Sequence, residues 1–139
     1  MTVKEFLNRA RFIDQEINAK IDHLEKLDSM VHRVTTSISE MPGKNQPDNA
    51  EREKLIVKMI DLKWEINEEI DKLVDSKREI NRLIGKIEKE KHRLLLELRY
   101  INICTWEEVA EKMGVTERSI YRMHGAALLD AAAIYNEQA

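Results

Sequence analysis

A chain of 139 residues with 35% charged and only 5% aromatic side chains has room for one small domain plus an extended helical element. Its 42% hydrophobic content is too high for a disordered chain, and its formal net charge of −3 excludes uniform basicity. The single cysteine, Cys104, excludes an intramolecular disulfide and a Cys-based zinc site within one chain. No apolar run approaches the roughly 20 residues that span a bilayer, and the polar opening MTVKEFLNRARFIDQEIN has no signal-peptide pattern. A cytoplasmic protein with no membrane partner is expected.

The first element opens on TVKE, a capping box in which Thr2 accepts from the backbone of residue 5 while Glu5 reaches back. Apolar residues follow at Phe6, Ala10, Ile13, Ile17, Ile21, Leu24, Leu27, Val31, Val34 and Ile38. Steps of three and four keep them on one face, predicting a helix from about residue 2 to 38. MPGKNQPDN, residues 41–49, has both prolines and a glycine and predicts a loop. Asp48, with Glu51 three residues on, is the expected N-cap of the next helix. Its stripe runs Ile56, Met59, Leu62, Ile66, Ile70, Leu73, Ile80, Ile84 and Ile87, with Lys77 as a polar interruption of the seam. Two such stripes bury each other if the helices fold back as an antiparallel hairpin. Gly85 is costly inside a helix and predicts a hinge or helix end within residues 85–91.

Beyond that point the apolar residues are denser and the segments shorter, predicting a small three-helix unit. Thr105 and Glu108 form a third capping box, for a helix ending near Met113. Gly114 suits a left-handed turn and Thr116 caps the following helix, placed from residue 116 to about 127. Ala110 is the small residue where two helices would approach, and Val109, Met113, Val115, Ile120 and Met123 hold the corner shut. That spacing is a helix-turn-helix. The second helix would present Thr116, Glu117, Arg118, Ser119, Tyr121 and Arg122, with His124 also in reach of DNA. Arginine can read guanine, and hydroxyls suit phosphates. Lys91, Arg93 and Arg99 would add phosphate contacts from the preceding helix.

RLLLELRYINICTWEEVAEKMGVTERSIYRMHGAAL resembles region 4 of bacterial sigma factors, where a helix with a similar LRY leads into an EEIA…LGIS…V…AL helix-turn-helix. With the long helical part in front, the chain is similar to a family of small phage and prophage proteins of Gram-positive bacteria. These are the sigma-like or late transcriptional regulators of the RinA and ArpU kind. The MP loop, IVKMIDLKWEIN, and Ile120, Tyr121, Arg122 and His124 also carry the resemblance. It implies DNA-binding control of phage genes in a bacterial host cell. The segment TERSIYRMHG is less basic than is usual in region 4.

Charge is unevenly spread. Residues 1–85 carry 15 Lys/Arg against 17 Asp/Glu, and residues 86–125 carry 8 against 7. Few phosphate contacts per chain imply weak monomeric binding, so a homodimer on paired half-sites is expected. Leu95, Leu128, Leu129 and Tyr135 also look in need of cover. Trp106 is expected in the corner and Trp64 at an inter-helix or inter-subunit contact. The four histidines lack metal-ligand spacing, and no nucleophile–base pair or phosphate loop is visible. The expectation is therefore an all-α, non-enzymatic protein without a cofactor. Residues 1–88 form the long hairpin with its loop near 41–49, and residues 89–139 form the helix-turn-helix unit. Its partners would be double-stranded DNA and, through the hairpin, RNA polymerase. Two other readings stay open. One is a DNA-recognition subunit of a phage packaging complex. The other is a protein-docking adaptor of the transcription machinery without DNA contact, favoured by Glu107, Glu108 and Glu111 on the first helix of the pair.

Overall fold

The computed structural model describes the backbone of residues 1–40 and 46–138 and the side chains of residues 1–36 and 49–138. The described residues are all-α: α1 (Val3–Glu40), α2 (Gln46–Ile84), α3 (Glu90–Leu96) running into a π-helical turn (Glu97–Ile101), α4 (Trp106–Met113) and α5 (Glu117–Glu137). None of these helices is long and apolar enough to cross a membrane. Packing divides the chain into two compact units, Asp14–Asp71 and Met1–Ile13 with Lys72–Ala139.

The first unit holds the paired lengths of the long helices, α1 and α2, in the expected hairpin. Leu27, Leu55, Leu62 and Ile66 are buried between them, with Leu24, Val31, Val34 and Met59 packed alongside. Lys20 reaches Glu69 at 3.8 Å, and Arg52 donates Nε–H to Thr35 Oγ1 at 3.1 Å, tying the helices across the seam. Here the inward stripe of α2 differs from the predicted one. Ile70 is 41% exposed and Glu69 faces inward instead, satisfied by Lys20. Further along, Ser76 is buried and Lys77 only half-buried, so the polar position in the seam is the serine. A small hydroxyl can be buried at far lower cost than an ammonium group. The start of α2 also differs. Its first residue is Gln46, not the one after Asp48, because Pro47 falls in the first helical turn, where its missing N–H has no intrahelical acceptor to lose. The rest of the predicted loop, residues 41–45, and the side chains of Ile38 and Asp48 lie outside the described residues.

The second unit is built on a thicker core. Thr2 and Glu5 make the predicted box, Glu5 N–H donating to Thr2 Oγ1 at 3.2 Å and Thr2 N–H to Glu5 Oε2 at 3.4 Å. The first turns of α1 then bury Leu7 and Ala10, beside the half-buried Phe6, against Ile80, Leu83 and Ile84 of α2 and the apolar side of α3–α5. α2 ends where Gly85 predicts. A Cβ there would lie 3.2 Å from the Asn81 carbonyl, and the chain turns through Lys86 N–H to Leu83 O and Ile87 N–H to Ile84 O.

The expected need for external cover is met largely from within. Leu95 is fully buried, Leu128 and Tyr135 are half-buried, and Tyr135 packs on the Phe6 ring at 5.3 Å. Leu129 alone of the four stays open, 74% exposed. After the π turn, Ile103 sits at φ 55°, a region that β-branched side chains rarely occupy. It is held there by Asn102 N–H to Glu97 O and Cys104 N–H to Leu98 O, both 2.9 Å. The kink drops Cys104 into the core just before the α4 cap.

Candidate nucleic-acid interface

The corner begins at Thr105. Its hydroxyl accepts from Glu108 N–H at 3.2 Å, and Glu108 returns the bond to Thr105 N–H at 3.2 Å, so two of the free donors at the start of α4 are satisfied. Bonding of the Glu108 carboxyl to the Thr105 backbone N–H, and then to the Thr105 side chain, holds it below its usual pKa. α4 closes on Gly114, at φ 68° and ψ 33°, whose N–H bonds Glu111 O while Val115 N–H bonds Ala110 O. Thr116 then caps α5 by accepting from Ser119 N–H at 3.2 Å and donating to Ser119 Oγ at 3.0 Å. Val109, Ala110 and Ile120 are buried where the two helices meet, with Met113 and Met123 packed against them. Val115, predicted to close the corner, is 38% exposed, because the left-handed turn at Gly114 carries it outward.

α5 runs to Glu137, ten residues past its predicted end, since Ala127 and Ala131 continue its buried stripe. On the opposite side, Arg118, Arg122, Gly125 and Leu129 follow one another at steps of three and four and are all exposed. Tyr121 flanks this stripe at 52% exposure, and Glu117 at the first turn is its one carboxylate before Asp130. Beside Arg122 lies an open groove of about 350 Å³ lined by His92, Val115, Ser119, Met123 and Ala126. Of the predicted set, the fold therefore brings Glu117, Arg118, Tyr121 and Arg122 together on one solvent face. Thr116 and Ser119 stand at its edge, occupied in the cap.

Three of the other predicted contacts are turned to structural work. His124 accepts from or donates to Tyr100 Oη through Nε2 at 2.7 Å and packs edge-on to Trp106 at 4.5 Å. Burial, then Lys4 and Arg99, lower its pKa to about 4, while burial raises that of Tyr100. The imidazole is thus neutral near pH 7 and can take the phenolic proton as an acceptor. Arg99 donates Nη1–H to Cys104 O at 3.0 Å and lies over the Trp106 ring at 4.2 Å. Its pKa is lowered by burial and by Arg11, and Arg11 Nη1 and Arg99 Nε are both buried without a hydrogen-bond partner. Arg93 donates Nη1–H to Ile87 O at 2.7 Å, bracing the turn before α3.

Trp106, expected in the corner, is half-buried there, with Tyr121 edge-on at 5.5 Å. A contact missed in the sequence is His92 Nδ1 to Asp130 Oδ2 at 2.5 Å, which ties α3 to α5. Nothing local marks it, because the pair is brought together only by tertiary packing.

A family model described as "protein of unknown function (DUF1492)" matches residues 43–131, a range that takes in all of α2, α3 and α4 and the first two thirds of α5. The chain belongs to the DUF1492 family. No curated protein and no solved structure matches it. The part of this DUF1492 chain that carries the family match includes the whole helix-turn-helix and the exposed face of α5 as far as Leu129.

Proposed function

We propose that the chain is a sequence-specific DNA-binding transcriptional regulator, with the face of α5 that carries Arg118, Tyr121 and Arg122 as its reading surface. The observation that supports this best is the combination of a closed corner and an open helix. The capped, left-handed turn at Gly114 fixes α5 against α4, and both arginines stand one turn apart on its exposed side. A guanidinium can donate two parallel bonds to a guanine edge or to a phosphate, and tyrosine can add a phosphate contact. Glu117, the acid on that face, suits a cytosine amino group. The glycine and alanine at 125 and 126 leave the middle of the helix low enough for a DNA backbone to approach. The setting, control of phage or prophage genes alongside RNA polymerase, rests on the likeness of residues 93–128 to sigma region 4. The test is a mobility-shift assay on fragments from around the chain's own gene, with random DNA as competitor. A preferred fragment supports a reader of sequence. Equal or absent binding to all DNA at low salt would turn the reading to a protein-docking corner.

A further inference from the structure

α2 carries two apolar faces within the unit Asp14–Asp71, and among the described residues only one of them is covered. Leu55, Leu62 and Ile66 face α1. On the opposite side Val57, Ile60 and Trp64 are 55%, 49% and 67% exposed. Their spacing, three then four, continues through Asn67, which is the heptad spacing of a coiled-coil seam. Over these residues the stripe is about 15 Å long at 1.5 Å per residue. The next seam position is Asp71, whose charge closes it.

We infer that this stripe is the seat of a second copy of the chain, paired in parallel and in register through Val57, Ile60, Trp64 and Asn67. The flanking charges select that occupant. With Val57 and Trp64 at the first seam position of successive heptads, Lys63 falls on one flank and Asp61 and Glu68 on the other. All three are exposed. In a parallel pair the residue just before a first seam position faces the partner residue five further on, so Lys63 of each copy meets Glu68 of the other. An antiparallel pair that stacks Ile60 on Trp64 would instead set Asp61 against Asp61 and Lys63 against Lys63. In parallel register Asn67 meets Asn67, where two amides can bond each other and fix the alignment. The inference does not depend on DNA being bound, and its test needs none.

Sedimentation equilibrium of the full chain should show a reversible monomer–dimer equilibrium. Trp64→Glu should raise the dimer dissociation constant on the order of 30-fold or more, as for a central interface aromatic. Its helical circular dichroism should be unchanged, because the side chain is outside the hairpin core. Lys63→Glu and Glu68→Lys should each weaken self-association, and mixing the two variants should restore a heterodimer. Orientation is read by oxidation: Val57→Cys and Asn67→Cys should each cross-link to its own copy, and buried Cys104 does not compete. A two-fold axis of an antiparallel pair cannot lie close to both positions, so failure of either one, or of both, to cross-link would overturn the parallel pairing. A wild-type chain that stays monomeric, or a dimer indifferent to Trp64→Glu, would overturn the seam itself.

Discussion

Replacing Gly114 isolates one contribution to the corner. Its φ of 68° lies in the left-handed region, which costs an L-residue with a Cβ about 1–2 kcal/mol. A Cβ built there meets nothing within 4 Å, so no steric clash adds to that cost. Alanine also restricts the unfolded chain more than glycine, which offsets about 0.4–1 kcal/mol. The net expected loss for Gly114→Ala is therefore about 1 kcal/mol. Gly114→Asn should lose only a few tenths, because asparagine tolerates this conformation. Urea unfolding followed by circular dichroism, with Trp106 fluorescence reporting on the corner, gives the order glycine, asparagine, alanine with an unchanged slope on denaturant. Alanine as stable as glycine would mean that the turn is not left-handed in solution. A loss above about 3 kcal/mol with a changed slope would mean that Gly114 sits against something the present packing does not contain.

Other perturbations probe neighbouring parts. His124 is neutral in the folded chain down to about pH 4, whereas in the unfolded chain it protonates near 6.5. The unfolded state thus takes up its proton first, and stability should fall as pH drops through that window and stay flat above it. After discounting for its partial exposure the fall is about 1–2 kcal/mol. An NMR titration placing His124 near 6.5 would contradict the buried Tyr100 pairing. Ile120→Ala empties a fully buried site between α4 and α5 and should cost roughly 2–5 kcal/mol in the same urea assay. Thr105→Ala removes the capping hydroxyl of α4 and should cost about 1 kcal/mol; a neutral result would mean that the cap is replaced by water at no loss.

The features legible in the sequence are those decided by neighbours along the chain. Thr2–Glu5, Thr105–Glu108, Gly114 and Thr116 were readable because a cap or a left-handed turn depends on residues within four positions. The hairpin was readable because a 3.6-residue period needs no knowledge of the partner. What periodicity could not decide was which of the two apolar faces of α2 turns inward at each level. That is why the pattern points to Ile70 and Lys77 for seam positions that Glu69 and Ser76 occupy. In the candidate site the outward residues Arg118, Tyr121 and Arg122 follow from helix geometry alone. The inward turn of His124, Arg99 and Arg93 does not, since Tyr100, Trp106 and the carbonyls of Cys104 and Ile87 are brought to them by the π turn and the α2–α3 bend. Likewise, the cover over Tyr135 comes from Phe6 in the first turns of α1, at the far end of the sequence.

The most direct test of DNA reading by α5 is the salt dependence of binding for the wild type and the Arg118→Ala/Arg122→Ala double variant. Both side chains are exposed, so fold and helix content should be unaffected. If the two guanidiniums contact phosphates, the slope of log affinity against log salt should shrink by about 1.8 per chain, at about 0.9 per contact, and affinity at low salt should fall. If one of them reads a base instead, the slope should shrink by about half as much and preference for the favoured fragment should be lost. An unchanged slope, affinity and preference in the double variant would contradict DNA recognition by this helix.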